Sequence, residues 1–334
     1  MPFVTRAKVK RAFRQFGPLK APGLDEIRPI LIQKLPNVAW DFLTILYKAS
    51  IKLGVTPESW RCSSVIFIPK SGKPRYDNAS AFRPITLSTF LLKGLERILL
   101  WFTARTHFAH KPMVANQFAF MKGRSTETAL SRVIDKIEHA IHNGKESVGI
   151  FLDIKGAFDN VNHDAAVAAM RRRNMPEMVI QWYDHFLRNR SATVSLGGIT
   201  SKRYLTRGTP QGGVLSPVIW NIVFESLLVR MSRYAFATGF ADDGCILVKG
   251  VNAAACQPRL QQALKVAEEW ARENGLQFAP EKTIMVHFHR KQKYVKPPPT
   301  FLNRTEIPIE SSTRYLGLQI NSKLNWTEHI DLKM

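Results

Sequence analysis

Tyr234-Ala-Phe-Ala-Thr-Gly-Phe-Ala-Asp-Asp-Gly-Cys-Ile-Leu-Val248 sets two adjacent carboxylates, Asp242 and Asp243, between two short apolar runs. Both runs are rich in aromatic, β-branched and aliphatic residues, and Asp-Gly between such runs signals a hairpin. The pair is therefore expected at the tip of a tight strand–turn–strand. Neighbouring carboxylates repel, so a fold that holds them close calls for a cation. An oxygen-rich site of this kind suits Mg²⁺ or Mn²⁺. Alone, Asp-Asp-Gly reads as a solvated turn; it needs a third carboxylate and a substrate.

Asp153 is the third candidate. It lies in Ser147-Val-Gly-Ile-Phe-Leu-Asp153-Ile154, a nearly continuous apolar run of the kind found in buried central strands. An ionised Asp inside such a run is costly unless something compensates it. A capping or salt-bridged role beside Lys155 and Gly156 is the bland reading. Ala157-Phe158-Asp159 and the helix-like stretch beyond favour a functional one. A strand ending in a carboxylate beside a hairpin tip with two more is the geometry of a two-metal centre. There, cations about 3.5–4 Å apart clamp the attacking and leaving oxygens of an in-line displacement.

Further motifs follow in order. Asp153 to Asp159 (Asp-Ile-Lys-Gly-Ala-Phe-Asp), Gly208 to Pro217 (Gly-Thr-Pro-Gln-Gly-Gly-Val-Leu-Ser-Pro) and Phe240 to Asp243 (Phe-Ala-Asp-Asp) resemble the palm motifs of reverse transcriptases. Gly275 to Thr283 and Arg314 to Gly317 resemble the next two, and Ala21 to Asp25, Ile68 to Lys70 and Phe82 to Ile85 resemble fingers motifs. The wording is similar to the polymerase of non-LTR (LINE-type) retrotransposons, over nearly the whole chain.

Composition agrees. Forty-eight Lys and Arg against 26 Asp and Glu give a net charge of +22, which calls for a polyanionic partner such as a nucleic-acid backbone. A hydrophobic content of 45% over 334 residues supports a large enzyme core and argues against a ribosomal-type protein. No apolar run reaches transmembrane length, and the first residues lack a hydrophobic targeting core. Cys62, Cys245 and Cys256 form neither a disulfide framework nor a metal-ligand spacing. An intracellular, reduced protein is expected, with the nucleus expected for target-site priming and the cytoplasm as the alternative.

Periodicity places helices near 5–20, 25–54, 87–106, 125–143, 162–173, 176–188, 216–232 and 253–274. Strands are expected near 64–68, 147–154, 192–197, 202–206, 284–289, 305–309 and 314–320. Residues 290–299 read as an exposed basic, then Pro-rich connector. The fold class expected is α+β: a right-hand polymerase fingers and palm, an antiparallel palm sheet with packed helices, and a thumb largely absent. Residues 1–145 are taken as N-terminal extension and fingers, and 146–290 as the catalytic palm. Residues 291–334 are taken as connector, primer-grip-like hairpin and start of a thumb. By resemblance, an endonuclease domain, carried upstream by many family members, and an RNase H domain, carried downstream by some, would lie outside the chain.

The resemblance implies RNA-directed DNA synthesis with an RNA template, a DNA primer, dNTPs and two Mg²⁺ or Mn²⁺ ions. By resemblance, Asp153, Asp242 and Asp243 hold metal, with the Ile154 carbonyl as a further ligand. Lys70 and Arg83 lie near the triphosphate, where Lys is a point charge and Arg a fork for phosphate oxygens. Gln211 and Gly212 contact nucleotide and template, Phe158 sits beneath the incoming sugar, and Lys282 protonates or neutralises the departing pyrophosphate. Each has an ordinary reading as well: surface cations for Lys70, Arg83 and Lys282, a helix-entry loop for 208–217, a core ring for Phe158. Asp159 and Asp164 read as helix caps, Arg171-Arg172-Arg173 as a solvated helix face, and His287 with His289 as one face of a strand. Three competing readings are a viral RNA-dependent RNA polymerase, which usually has Gly-Asp-Asp, a group II intron-type reverse transcriptase, and an inactive remnant that only binds nucleic acid.

Overall fold

The computed structural model describes residues 1–72, 74–290 and 295–331. Residues 291–294 of the expected connector therefore lie outside the described residues. The chain folds as two compact units, each assembled from two separated stretches: Met1–Pro112 with Phe158–Ile219, and Met113–Ala157 with Trp220–Met334.

The first unit holds a four-stranded sheet ordered Phe82–Leu87, Cys62–Pro69, Ser191–Leu196, Ile199–Tyr204. Its outer pairs are antiparallel and its central pair is parallel, Cys62 opposite Ser191. Helices Arg6–Arg14, Asn37–Leu53, Phe90–Thr103 and Glu177–Arg188 supply the core. Phe13, Tyr47, Trp182, Tyr183 and Phe186 are fully buried or nearly so. Two of these polar tips find partners, as expected for buried Tyr and Trp: Tyr47 donates to the Leu91 carbonyl at 2.6 Å and Trp182 to Ser50 Oγ at 2.9 Å.

The second unit is built on a five-stranded sheet ordered Ile309–Glu310, Ile284–Phe288, Glu146–Asp153, Asp243–Gly250, Phe236–Phe240. Glu146–Asp153 is central and buried along its length up to Asp153, which explains its unbroken apolar character. Pairing is antiparallel except at the edge, where Ile309–Glu310 runs parallel to Ile284–Phe288. One face packs Phe151, Cys245, Leu247, Val286 and Phe288 against Val133 and Ile137 of helix Thr126–His142 and against Tyr315 and Ile320. Behind the other face, Trp220 stacks on Phe224, Phe224 meets Trp270 edge-on and Trp270 tilts against Phe278, with centroids 5.7, 5.9 and 6.4 Å apart. No helix among the described residues is long and apolar enough to cross a membrane.

Several expected elements shift. The turn of the acidic hairpin is Ala241-Asp242, with Phe240 opposite Asp243, so Gly244 lies in the outgoing strand opposite Gly239 rather than in the turn. Ala241 takes the left-handed conformation, φ 55, and Trp220 Nε1 donates to its carbonyl at 2.8 Å. That anchor compensates a conformation that an Asp-Gly turn would supply for nothing. The stretch 314–320 is a hairpin, Ser312–Tyr315 with Leu318–Asn321, because Leu316 and Gly317 both have positive φ. The helix expected from 87 begins at Phe90, since Pro84 holds Phe82–Leu87 extended in the sheet and Thr89 caps the helix. Strands at 305–309 resolve into Thr305–Glu306 and Ile309–Glu310, in two different sheets.

Candidate active site

Asp153 and Asp243 are direct partners across the two central strands, and Asp242 sits in the adjoining turn. The strand period of two puts Asp153 and Asp243 on one face, at the same end of the sheet. Asp242 is exposed, whereas Asp153 and Asp243 are half-buried. Burial pushes the Asp243 carboxyl up to about 6, and the charges of Asp242 and Asp153 push the same way, against the pull of Lys282. This is the strain expected where carboxylates are gathered without a cation.

The cation present is Lys282. Its Nζ donates to Asp153 Oδ2 at 2.8 Å. Asp153, through that hydrogen bond, raises the lysine further above its usual range. The direction suits a standing positive charge better than a proton donor, which works best with a pKa near the operating pH. The Gly275 to Thr283 motif reaches the site by backbone pairing: Ala279 donates to the Asp153 carbonyl at 2.9 Å and Lys155 to the Gln277 carbonyl at 2.8 Å. Those bonds flank Ile154 and do not use its carbonyl.

The carboxylate set suits a hard divalent cation chemically, having only oxygen donors. Among the described residues, no three potential ligands converge tightly enough to hold an ion as they stand. Lys282 neutralises Asp153 in that arrangement.

The hairpin carrying Asp242 is braced at its free edge. Phe118 donates to the Gly239 carbonyl at 2.9 Å, and Gly239 to the Asn116 carbonyl at 3.0 Å. Gln117 Nε2 meets Asn221 Oδ1 at 2.7 Å, and Asn221 donates to the Ala119 carbonyl at 2.8 Å. Gly239 has no room for a side chain: a Cβ there would lie 2.0 Å from the Phe224 ring. The Asn116 to Phe120 stretch and Trp220 carry no recognisable chemistry in the sequence, yet they anchor the backbone of the hairpin that bears Asp242 and Asp243.

In the first unit, the nucleotide-side candidates fall into two places. Phe158 and the Gly208 to Gly213 loop are joined by a bond from the Thr209 amide to the Phe158 carbonyl at 2.6 Å. Gln211 is half-buried and its carbonyl accepts from the Thr86 amide at 2.8 Å; Gly212 is exposed. Arg83 is exposed on the strand that also carries Thr86. Lys70 is turned to the Ser80 carbonyl, 2.9 Å away.

Three ordinary assignments change. Asn162, not Asp164, caps helix His163–Arg172, accepting from the amides of Asp164 and Ala165. Asp164 pairs with Arg188 instead, and Asp159 lies inside a short helical turn, Ala157–Asn160. Arg173 is not merely a solvated face residue, since it donates to the Lys111 carbonyl and lies over Phe108. His287 is buried and pairs with Glu146 at 2.9 Å, and its ring lies 4.7 Å from that of His289.

Residues 68–320 match the family model described as reverse transcriptase (RNA-dependent DNA polymerase). Over 98% of its length the chain is 29% identical to the RNA-directed DNA polymerase from mobile element jockey of Drosophila melanogaster, covering 36% of that protein. It is 29% identical over 93% of its length to a 115 kDa protein in the type-1 retrotransposable element R1DM of the same organism, covering 30% of it. The chain thus spans about a third of the length of these relatives. A telomerase structure from Candida tropicalis superposes with a TM-score of 0.53 at 12% identity, over 87% of this chain and 60% of that one, which speaks to a shared fold. Match, motif order and the fingers-and-palm fold agree, and the chain belongs to the reverse transcriptase (RNA-dependent DNA polymerase) family, resembling its non-LTR retrotransposon members.

Proposed function

We propose that this chain carries the polymerase activity of a non-LTR retrotransposon, extending a DNA primer with dNTPs along an RNA template. The observation that carries the reading is the pairing of Asp153 with Asp243 across adjacent strands, with Asp242 in the turn beside them. The primer 3′-hydroxyl attacks the α-phosphate of the dNTP, and pyrophosphate leaves in line. Asp153 and Asp242, with Asp243 assisting and the Ile154 carbonyl as a further oxygen, would hold two divalent cations, Mg²⁺ or Mn²⁺, which when bound would supply charge stabilisation at the reacting phosphate. The chain's own part is to hold these carboxylates on one face and to keep Lys282 beside them as a fixed positive charge. Phe158 packs beneath the sugar, Gln211 and Gly212 meet the nucleotide and template, and Lys70 and Arg83 meet the triphosphate. Positioning and charge neutralisation do most of the catalysis. The net charge of +22 supports a nucleic-acid partner, and the nucleus is the expected site of action.

The test is primer extension on RNA and DNA templates, with dNTPs or NTPs and with Mg²⁺ or Mn²⁺. Asp153→Asn and Asp242→Asn are expected to abolish extension by several orders of magnitude while RNA binding stays nearly unchanged. More than a few per cent of activity in either variant would overturn the assignment.

A further inference from the structure

Three buried polar side chains hold the loop that bears Gln211 and Gly212, and none of them has a part in the chemistry above. Glu96, Arg190 and His163 are 0%, 4% and 5% exposed. Arg190 Nη2 donates to the Gly208 carbonyl at 2.7 Å, and His163 Nε2 lies 3.1 Å from the same oxygen. A carbonyl only accepts, so His163 presents Nε2–H there. Burial, with the neighbouring Arg190 charge, keeps that imidazole below its ordinary pKa and therefore neutral at pH 7. On the far side of the loop, Glu96 Oε2 accepts from the Val214 amide at 3.0 Å.

Between these anchors the loop is stitched to the Phe158 segment. Gly208 donates to the Val161 carbonyl at 2.7 Å, and Thr209 to the Phe158 carbonyl at 2.6 Å. Gly208 has φ +80, and a Cβ there would meet the Asp159 carbonyl oxygen at 2.4 Å. Any side chain at 208 would push the two segments apart. The Gly208 carbonyl is thus the point where the sugar-side and base-side candidates are tied together, and two buried donors converge on it. Burying a guanidinium is expensive, and packing alone would be served as well by a neutral side chain. Tyr183, Glu96 and Asp159 surround Arg190 and offset part of that cost. Its fork geometry supplies a directed donor that lysine cannot reproduce.

We propose that Arg190, assisted by His163, is a positioning residue for nucleotide selection: by clamping the Gly208 carbonyl it fixes Phe158 and Gln211 in one rigid loop before the nucleotide arrives. This rests on the reading that Phe158 and Gln211 contact the incoming dNTP. Neither Arg190 nor His163 touches substrate in it. A merely structural Arg190, present only to balance Glu96, would affect stability without changing how sugars are distinguished.

Amide hydrogen exchange and steady-state extension on the full chain separate these possibilities. The variants are Arg190→Lys, which keeps the charge, and His163→Leu, which removes one of the two donors. Arg188→Gln serves as control, since Arg188 pairs at the surface with Asp164 and Asp184. The clamp predicts faster exchange over 207–214 in Arg190→Lys, with protection of the central strand Glu146–Asp153 unchanged. It predicts a KM for dNTP raised between about tenfold and a hundredfold with kcat changed far less, and a lower dNTP-to-NTP preference. Arg188→Gln should match wild type in all three readouts. Unchanged exchange at 207–214 in folded Arg190→Lys and His163→Leu would overturn the clamp whether or not the chain polymerises. Faster exchange with unaltered KM and sugar preference in an active wild-type background would overturn the selection role. A wild-type chain that does not extend primers would refute the proposed function, and exchange would still decide the clamp. Should Arg190→Lys fail to fold, His163→Leu is read by the same criteria.

Discussion

Removing one acid of the clustered carboxylates should stabilise the metal-free protein. Asp243 rises from 3.8 to about 6 in the folded chain, because of burial first and the Asp242 and Asp153 charges second. That difference of about 2 units, at about 1.4 kcal/mol each, amounts to about 3 kcal/mol of charging penalty at pH 7. For an acid whose pKa is raised by folding, the folded state binds more protons between the two values. Stability therefore falls as pH rises from about 4 to about 6, and above that the whole penalty is in force. Asn cannot ionise and escapes it. In urea titrations with EDTA at pH 7.5, Asp243→Asn is expected to be more stable than wild type by up to about 3 kcal/mol, a large part of the 5–15 kcal/mol typical of a domain. The gap should narrow below pH 6 and nearly close by pH 4. Trp220, bonded to the turn at Ala241, provides a local fluorescence probe. Mg²⁺ should raise wild type more than the variant. An Asn variant no more stable than wild type in EDTA at pH 7.5 would refute the claim that these carboxylates are held together against their own repulsion.

Lys282 tests charge against proton transfer: Lys282→Arg keeps the cation near Asp153 and should retain a substantial share of kcat, whereas Lys282→Gln should lose about a hundredfold. If Lys282 must give up a proton, Arg fails as badly as Gln, and the ratio of the two variants settles it. Phe158→Val should raise NTP use relative to dNTP by at least about tenfold, or 1.4 kcal/mol of discrimination; equal loss with both sugars would reduce Phe158 to a core residue. Gly239→Ala drives a methyl into Phe224, 2.0 Å away, and should cost about 1–3 kcal/mol in thermal unfolding. Adding Phe224→Leu should recover part of that loss, and no recovery would mean that the strain lies elsewhere.

The carboxylate-bearing elements were legible because they obey local rules. The central strand announced itself by an apolar run that only two-sided burial explains, and the hairpin by polar residues between two such runs. Ser125 was readable as a cap, and it caps helix Thr126–His142. The exact turn was not legible, because Asp243-Gly244 reads as the better turn by local chemistry, while Ala241-Asp242 is anchored by a distant indole, Trp220. Leu316 hid the turn inside 314–320, since a leucine with positive φ carries no turn signal of its own. Arg190, His163 and Glu96 were invisible as a group, lying 27 residues or more apart with no motif among them. Their meaning arises only when two helices, the link before strand Ser191–Leu196 and a loop bring them to one carbonyl and one amide. Lys282 was found by its motif, but its partner Asp153 required the fold.

The two-stretch composition of each unit has a consequence for biosynthesis. A ribosome delivers residues in chain order, yet the first unit cannot close until residue 219 has emerged, because its second stretch, with Ser191–Leu196 paired in parallel to Cys62–Pro69, ends there. The 45 residues of Met113–Ala157 are by then already outside, including an oily central strand whose neighbours, Asp243–Gly250 and Ile284–Phe288, are still to be made. At about 5–20 residues per second, that strand waits roughly 5–30 seconds before both partners exist. During this interval its edges are open to pairing with other chains, a known aggregation hazard. A nascent polypeptide of this design is a natural client for holdase chaperones, and slowing translation between residues 154 and 288 should lower its soluble yield.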